Sequence, residues 1–347
     1  MPEKSHRPRP ASYAQGLPDG RVRCLLCPHE CVLKDGARGL CQVRENRGGT
    51  LWALSWGRVA ALGLDPIEKK PLYQFLPGTL SLSYATVGCN LHCTFCQNAH
   101  LSRGEPEGVA HQWLEPAQLA AAAQAHGAAT IAHTYSEPVV YFEYATEVAR
   151  AGQALGIPSV LVSNGHINPA PLRELAPLFA AANLDLKAGS EAVHRKLTGA
   201  SLAPILASLE TLVALGVWVE ATTLLVPGFN DSDAELTAVA TRLASIDPRI
   251  PWHLSRFFPA HRLLDLKPGP LARLAEAVQI GKAAGLQQVY TGNCGAQSQA
   301  DTTCASCGLV LLERRGFQLV ANRLLQGRCP RCSEILPGVF DSAPPKA

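Results

Sequence analysis

Residues 81–98 read SLSYATVGCNLHCTFCQN. The first seven are apolar or small and suit a buried strand. They run into a glycine and then into Cys89, Cys93 and Cys96, so one strand delivers three thiols at its C-terminal end. The same strand-then-loop unit recurs downstream. TIAHTY (130–135), PSVLVS (158–163), NLDLK (183–187), VWVEATTLLV (217–226), PWHLSRF (251–257) and QQVYT (287–291) read as strands. Between them lie helical stretches. EPAQLAAAAQAHG closes on Gly127, EPVVYFEYATEVARAG on Gly152, and PAPLRELAPLFAAA has prolines in its first turn. HRKLTG, LAPILASLETLVALG and DAELTAVATRLASI follow, the last capped by Asp231 or Ser232. Six or seven such units imply a parallel sheet in an α/β fold, a partial (β/α)6-type, TIM-like barrel short of the eight units of a closed one.

Parallel barrels carry their reactive groups where the strands end. Here those places hold Cys89, Ser136–Glu137, Ser163–Asn164, Asp185–Lys187 and His253–Arg256. Five polar strand ends on one rim predict a site.

Around this core, 347 residues suggest about two domains with room for smaller modules. Residues 1–20 are polar and proline-rich and read as a flexible N-terminus; 21–79 as a cysteine-bearing module and linker; 80–295 as the barrel; 296–347 as a C-terminal module. In the linker, LWALSWGRVAALGL suits strands and DPIEKKPLYQFLPG an extended loop. The composition, 47% hydrophobic and 17% charged, excludes wholesale disorder, a coiled coil or a collagen-like rod. No apolar run approaches the ~20 residues of a membrane span, and the first ten residues lack a secretory signal, so a cytoplasmic location is expected. A net charge of +3 without a block of like charges gives no indication of a nucleic-acid binder.

The 12 cysteines are the informative count. In a reducing cytosol they read as metal ligands or catalytic groups rather than disulfides. Their spacing sorts them into Cys24, Cys27, Cys31 and Cys41; Cys89, Cys93 and Cys96; Cys304, Cys307, Cys329 and Cys332; and Cys294 alone. Chance would give the x3, x2 triplet roughly 0.014 times in such a chain. Thiolates anchor iron–sulfur clusters, and a fully ligated [4Fe–4S] cluster takes four. Three on one loop leave the fourth iron open to a substrate. A closed zinc site completed by His92 or His100 is the alternative. Phe95, between the last two cysteines, offers an apolar face of the kind an adenine packs on. The paired CxxC motifs at the C-terminus match a zinc ribbon or rubredoxin-like hairpin, with zinc preferred to iron and LVLLERRGFQLVANRLL as the hairpin. The N-terminal four suit structural zinc or a second cluster acting as an electron relay. Cys294 is a buried thiol or reaches the substrate.

RCLLCPHEC, DPIEKKPLYQFLPG, GCNLHCTFCQN, TYSEP, PWHLSRFFP, VYTGN and ERRGF together resemble the AmmeMemoRadiSam system radical SAM enzymes, relatives of pyruvate formate-lyase-activating enzyme. The resemblance implies a radical SAM barrel, a [4Fe–4S] cluster on Cys89, Cys93 and Cys96, and reductive cleavage of S-adenosyl-L-methionine (SAM) to a 5′-deoxyadenosyl radical that abstracts hydrogen. It implies further that Ser136 and Glu137 receive the SAM ammonium, that Asp185 accepts from ribose hydroxyls and that Lys187 holds the SAM carboxylate. Ser163, Asn164 and His253 fall at ribose or cluster-side positions, and Val226-Pro227-Gly228 at a turn around adenine. Ala99 and His100 stand where an aromatic and an acid often follow the third cysteine, so the resemblance does not carry a substrate role to that stretch. The implied partners are a low-potential donor (flavodoxin or ferredoxin) and either Memo-like and Ammecr-like proteins or a glycyl radical enzyme. Three functions follow: modification of an unknown substrate, activation of a glycyl radical enzyme, or a non-enzymatic zinc-binding scaffold.

Overall fold

The computed structural model describes residues 8–341. Its centre is an eight-stranded sheet. In chain order the strands are β1 (Ala61–Pro66), β2 (Leu80–Ala85), β3 (Thr130–His133), β4 (Ser159–Ser163), β5 (Phe179–Asp185), β6 (Trp218–Leu225), β7 (Trp252–Arg256) and β8 (Val289–Gly292). Spatial order follows sequence order from β1 to β8. All neighbours pair in parallel except β1 with β2, which is antiparallel. The expected α/β barrel is therefore present as seven parallel strands that do not close, with an added antiparallel edge.

The crossover helices are α1 (Pro116–Ala125), α2 (Phe142–Ala154), α3 (Pro169–Leu175), α4 (Glu191–Thr198), α5 (Ala203–Ala214), α6 (Asp233–Ile246) and α7 (Leu271–Ala283). Their ends follow local chemistry. Glu115 and Gln118 form a capping box at α1, and Ser190 and Ser232 accept from the third residues of α4 and α6. The stretch 169–182, expected as one helix, breaks instead. Pro177 cannot continue the hydrogen-bonding ladder of α3, and Phe179 already belongs to β5.

Small residues hollow the sheet's inner face. Ala132 on β3, Val160 on β4 and Ala181 on β5 leave space that Ile67, Leu72, Phe75 and Leu76 of the linker fill. The linker is thus an interior plug rather than a surface loop. It is fastened where the Tyr73 and Gln74 amides donate to the Glu220 carboxylate at 3.0 and 2.8 Å.

The looseness expected over residues 1–20 falls partly on 1–7, outside the described residues. From residue 9 onward the chain is ordered by pairing: Arg9–Pro10 adds to Thr50–Ala53, and Ala14–Gly16 pairs with Val22–Cys24. Tyr13 packs edge-on against Phe142. At the other end, Thr302–Thr303, Val310–Arg315 and Gln318–Asn322 form a three-stranded sheet that includes the expected hairpin. Among the described residues no single helix is long and apolar enough to cross a membrane.

Candidate metal centre and binding pocket

The loop after β2 carries the three cysteines and is fixed along its length. Gly88 turns it at φ +106°, and a Cβ there would lie 2.7 Å from Val43, so the position requires glycine. The His92 and Thr94 amides donate to the Thr198 and Leu197 carbonyls at the end of α4. The Arg103 guanidinium donates back to the carbonyls of Cys89 and Leu91.

Cys89, Cys93 and Cys96 line one side of a cavity of about 240 Å³ at the C-terminal ends of the strands. Phe95, Ser136, Glu137, Asn164, Asp185 and Lys187 line it with them, as do Gln97, Asn98, Ser102, Tyr135, Thr222, Leu224 and Ser255. Two expected members stand back from it. Ser163 lies behind, its hydroxyl donating to Glu137 Oε1 at 2.6 Å. The His253 imidazole turns below the pocket to Glu220 Oε2 at 2.6 Å, between the rings of Tyr73 and Tyr290. Ser255, two residues on and therefore on the same strand face, reaches the cavity instead. Val226, Pro227 and Gly228 also lie outside the lining. Cys294 donates to the Gly292 carbonyl at 3.1 Å and does not line it either.

The pocket's polar groups are held by one another. Glu137 Oε1 accepts from the Val139 amide at 3.0 Å, and Oε2 from the Asn164 amide at 2.8 Å. Burial nevertheless pushes the Glu137 carboxyl up to about 7, these donors opposing it and the Asp185 charge adding to it. Asn164 Nδ2 reaches Cys89 Sγ at 3.6 Å. Lys187 Nζ meets Asp185 Oδ2 at 2.8 Å and stands 5.6 Å from the centre of the Phe95 ring. Burial alone would lower the Lys187 ammonium, but Asp185 and the Cys93 sulfur hold it above its ordinary value. Burial pushes the Cys93 thiol up to about 11, with Lys187 pulling it back. Ligation to a metal displaces such thiol protons, and Lys187 then faces thiolate charge.

A family model, that of the radical SAM superfamily, matches residues 83–239, from β2 into α6. The chain is 35% identical over 329 residues to the uncharacterized protein MJ0808 of Methanocaldococcus jannaschii, which spans 94% of this chain and 98% of that protein. The chain carries a radical SAM domain. Over 60 residues, 17% of the chain and 18% of the relative, it is also 47% identical to the benzylsuccinate synthase activating enzyme of Thauera aromatica. In fold it is similar to Streptococcus suis SuiB in a crystal structure bound to S-adenosylmethionine. That match has a TM-score of 0.50 and 16% identity, covering 66% of this chain and 53% of SuiB.

The radical SAM fold implies a [4Fe–4S] cluster and SAM, and the donor set fits them. Three thiols face one cavity, yet no three of their sulfurs and neighbouring His, Asp or Glu ligand atoms lie within 4.8 Å of one another, as closure on a single ion would require. Opposite stand a carboxylate, an ammonium and an aromatic ring. The residues missed in the sequence left one signal. Glu220, Thr222 and Leu224 alternate on β6, so the face that carries the buried Glu220 also carries two pocket residues higher up.

The C-terminal cysteines form a different kind of group. The Sγ atoms of Cys304, Cys307, Cys329 and Cys332 all lie within 4.8 Å of one another, with Cys304–Cys332 at 3.5 Å and Cys307–Cys329 at 3.6 Å. A tetrahedral ion with ~2.3 Å bonds to sulfur has edges of roughly 3.8 Å. These four can close on one metal ion.

Proposed function

We propose that the chain holds a [4Fe–4S] cluster on Cys89, Cys93 and Cys96 and uses it to cleave SAM reductively, for hydrogen abstraction from a substrate. The observation that carries this reading is the three-thiol wall of the rim cavity, which has no fourth cysteine. Held by Cys89, Cys93 and Cys96, such a cluster would supply the electron for reductive cleavage of the SAM sulfonium. This chain's residues bind and orient. Glu137, kept in place by Ser163 and the Asn164 amide, receives the SAM ammonium beside Ser136. Lys187 attracts the carboxylate, Asp185 accepts from the ribose, and Phe95 packs on the adenine. Thr222 and Ser255 add hydroxyls to the same wall. His253 serves from behind, through Glu220, as a positioning group for the linker.

The substrate reading follows the resemblance: a small molecule, RNA or protein side chain, modified together with Memo-like and Ammecr-like proteins in the cytoplasm, with a flavodoxin or ferredoxin as donor. The local identity to an activating enzyme favours a second reading, hydrogen abstraction from a glycine of a partner enzyme. Two spacing classes among the cysteines speak against a scaffold that holds only zinc.

Anaerobic reconstitution with iron and sulfide, then dithionite and SAM, is expected to yield 5′-deoxyadenosine, and Cys93→Ala none. Wild-type protein that retains iron at the trio but makes no 5′-deoxyadenosine would overturn the reading. Deuterium transfer from labelled candidates into 5′-deoxyadenosine separates the two substrate classes.

A further inference from the structure

Cys24, Cys27, Cys31 and Cys41 converge on one pocket, lined also by His29, Gly39, Arg44 and Asn90. Convergence alone fits zinc or a cluster equally, and spacing separates them. The C-terminal four are packed as closely as ligands of one ion. Among the described residues no other three His, Cys, Asp or Glu ligand atoms lie within 4.8 Å of one another. The N-terminal sulfurs therefore share a pocket without closing to single-ion distance, as the rim trio does. Thiolates bound to different irons of a cubane stand farther apart than thiolates on one ion.

A second observation points to a sulfur-rich occupant. Arg44 has only 2% of its side chain exposed and is paired to Glu143 at 2.5 Å. One terminal nitrogen donates to the Ser12 carbonyl at 2.9 Å. Its Nε, buried on the residue that borders the four cysteines, has no protein acceptor. Inorganic sulfides and thiolates are the acceptors such a donor lacks, and hydrogen bonds to sulfur tune cluster potentials.

The third observation is a bridge. Asn90 lines the same cavity as Cys27 and the other three N-terminal cysteines. Its Oδ1 accepts from Asn164 Nδ2 at 2.9 Å, and the same Nδ2 contacts Cys89 Sγ at 3.6 Å. Two carboxamides thus lead from the cavity of the N-terminal cysteines to Cys89 of the rim trio, while His29 Nε2 contacts the Asn90 carbonyl oxygen at 2.8 Å.

We propose that Cys24, Cys27, Cys31 and Cys41 ligate a second [4Fe–4S] cluster, which takes one electron from a low-potential carrier protein and passes it through the Asn90–Asn164 bridge toward Cys89. In that step the carrier is oxidised by one electron and the rim centre is reduced by one, with no proton or bond changing hands. The relay role rests on the rim cluster proposed above; the N-terminal ligand set does not.

Metal and spin counting on the full chain tests both parts. Wild-type protein reconstituted anaerobically should hold roughly eight iron and eight sulfide, all but the zinc-type C-terminal site being clusters. The triple variant Cys89→Ala/Cys93→Ala/Cys96→Ala should keep about half of both, as should Cys27→Ala/Cys31→Ala, each with one reducible EPR signal. If the N-terminal variant keeps all the iron and loses one zinc instead, the second cluster is wrong while the rim reading stands. If the triple variant loses no iron, the rim reading fails by itself. Reduced wild type should show spin–spin broadening absent from both variants, and its absence would overturn the relay. Because cysteine variants can fail to fold, Arg44→Met in the triple-variant background keeps all four ligands. It should shift the g values or midpoint potential of the remaining signal, and an unchanged signal would remove Arg44 Nε from the site.

Discussion

Glu137 carries the rim's most informative charge, because its side chain is buried while one edge of it faces the cavity. Burial, which disfavours the ionised form more than three donors favour it, pushes the carboxyl up to about 7. A ligand ammonium prefers the ionised form, so below about pH 7 binding must expel a proton. SAM affinity, measured by calorimetry on reconstituted protein without reductant, is therefore expected to rise from pH 6 toward 7 and level off above, by up to about tenfold per unit on the rising limb. Proton release, read as a heat that depends on the buffer, should appear at pH 6 and vanish by pH 8. Glu137→Gln should weaken binding about tenfold at pH 8 and flatten the profile. A wild-type affinity that does not change between pH 6 and 8 would show that Glu137 does not meet the ammonium.

Among the elements, the turn from β5 into α4 sets the position of Lys187. It is held against the start of α6, where the Gly189 and Ser190 amides donate to Glu235 Oε2 at 2.8 and 3.1 Å. A Cβ on Gly189 would lie 2.4 Å from the Glu235 carbonyl oxygen and 2.7 Å from the Ala238 Cβ, so the close approach, not the backbone angle, demands glycine. Gly189→Ala is expected to destabilise by ~1–3 kcal/mol through overpacking and to loosen SAM binding by displacing Lys187. The checks are a lower urea midpoint with unchanged slope and the same calorimetry; an unchanged midpoint would mean the turn can shift freely. This element also shows what sequence can carry. The Asp185-Leu186-Lys187 alternation sends both charges to one face whatever the tertiary context, and both line the cavity. Cys89, Glu137 and Asn164 were legible for a similar reason, since each lies within four residues of the C-terminal end of a strand. Depth was not legible. His253 and Ser255 share a face of β7, and only the packing of Tyr73 and Glu220 beneath them decides which one reaches the pocket. Pro177 was visible, yet the alanines after it favour helix, so local preference points away from the strand that begins at Phe179.

At the scale of the molecule, the C-terminal sheet is tied to the barrel through the plug. Val339 pairs with the chain at Phe75, its amide donating to the Gln74 carbonyl at 2.8 Å. Arg314 crosses the same junction. It donates to the Tyr73 and Ala300 carbonyls and the Thr302 hydroxyl, covers the Tyr73 ring at 4.4 Å, and stands 3.6 Å from Glu68. Both side chains are 0% exposed. Burial pushes the Glu68 carboxyl up, and Arg314 with the Gly78 amide holds it down. Arg314→Met would leave that acid buried without its cation, so a loss of ~3–5 kcal/mol is expected. The double variant Arg314→Met/Glu68→Gln should recover part of that loss, because the uncompensated charge, rather than the missing attraction, causes most of it. Since the plug is fastened by the same Tyr73–Gln74 segment to Glu220, and Glu220 to His253, the single variant should also loosen the floor beneath the pocket. Hydrogen exchange would then rise in 67–76 and in β7 together. Faster exchange confined to 300–341 would instead show that the C-terminal sheet is only appended to the barrel and does not brace it.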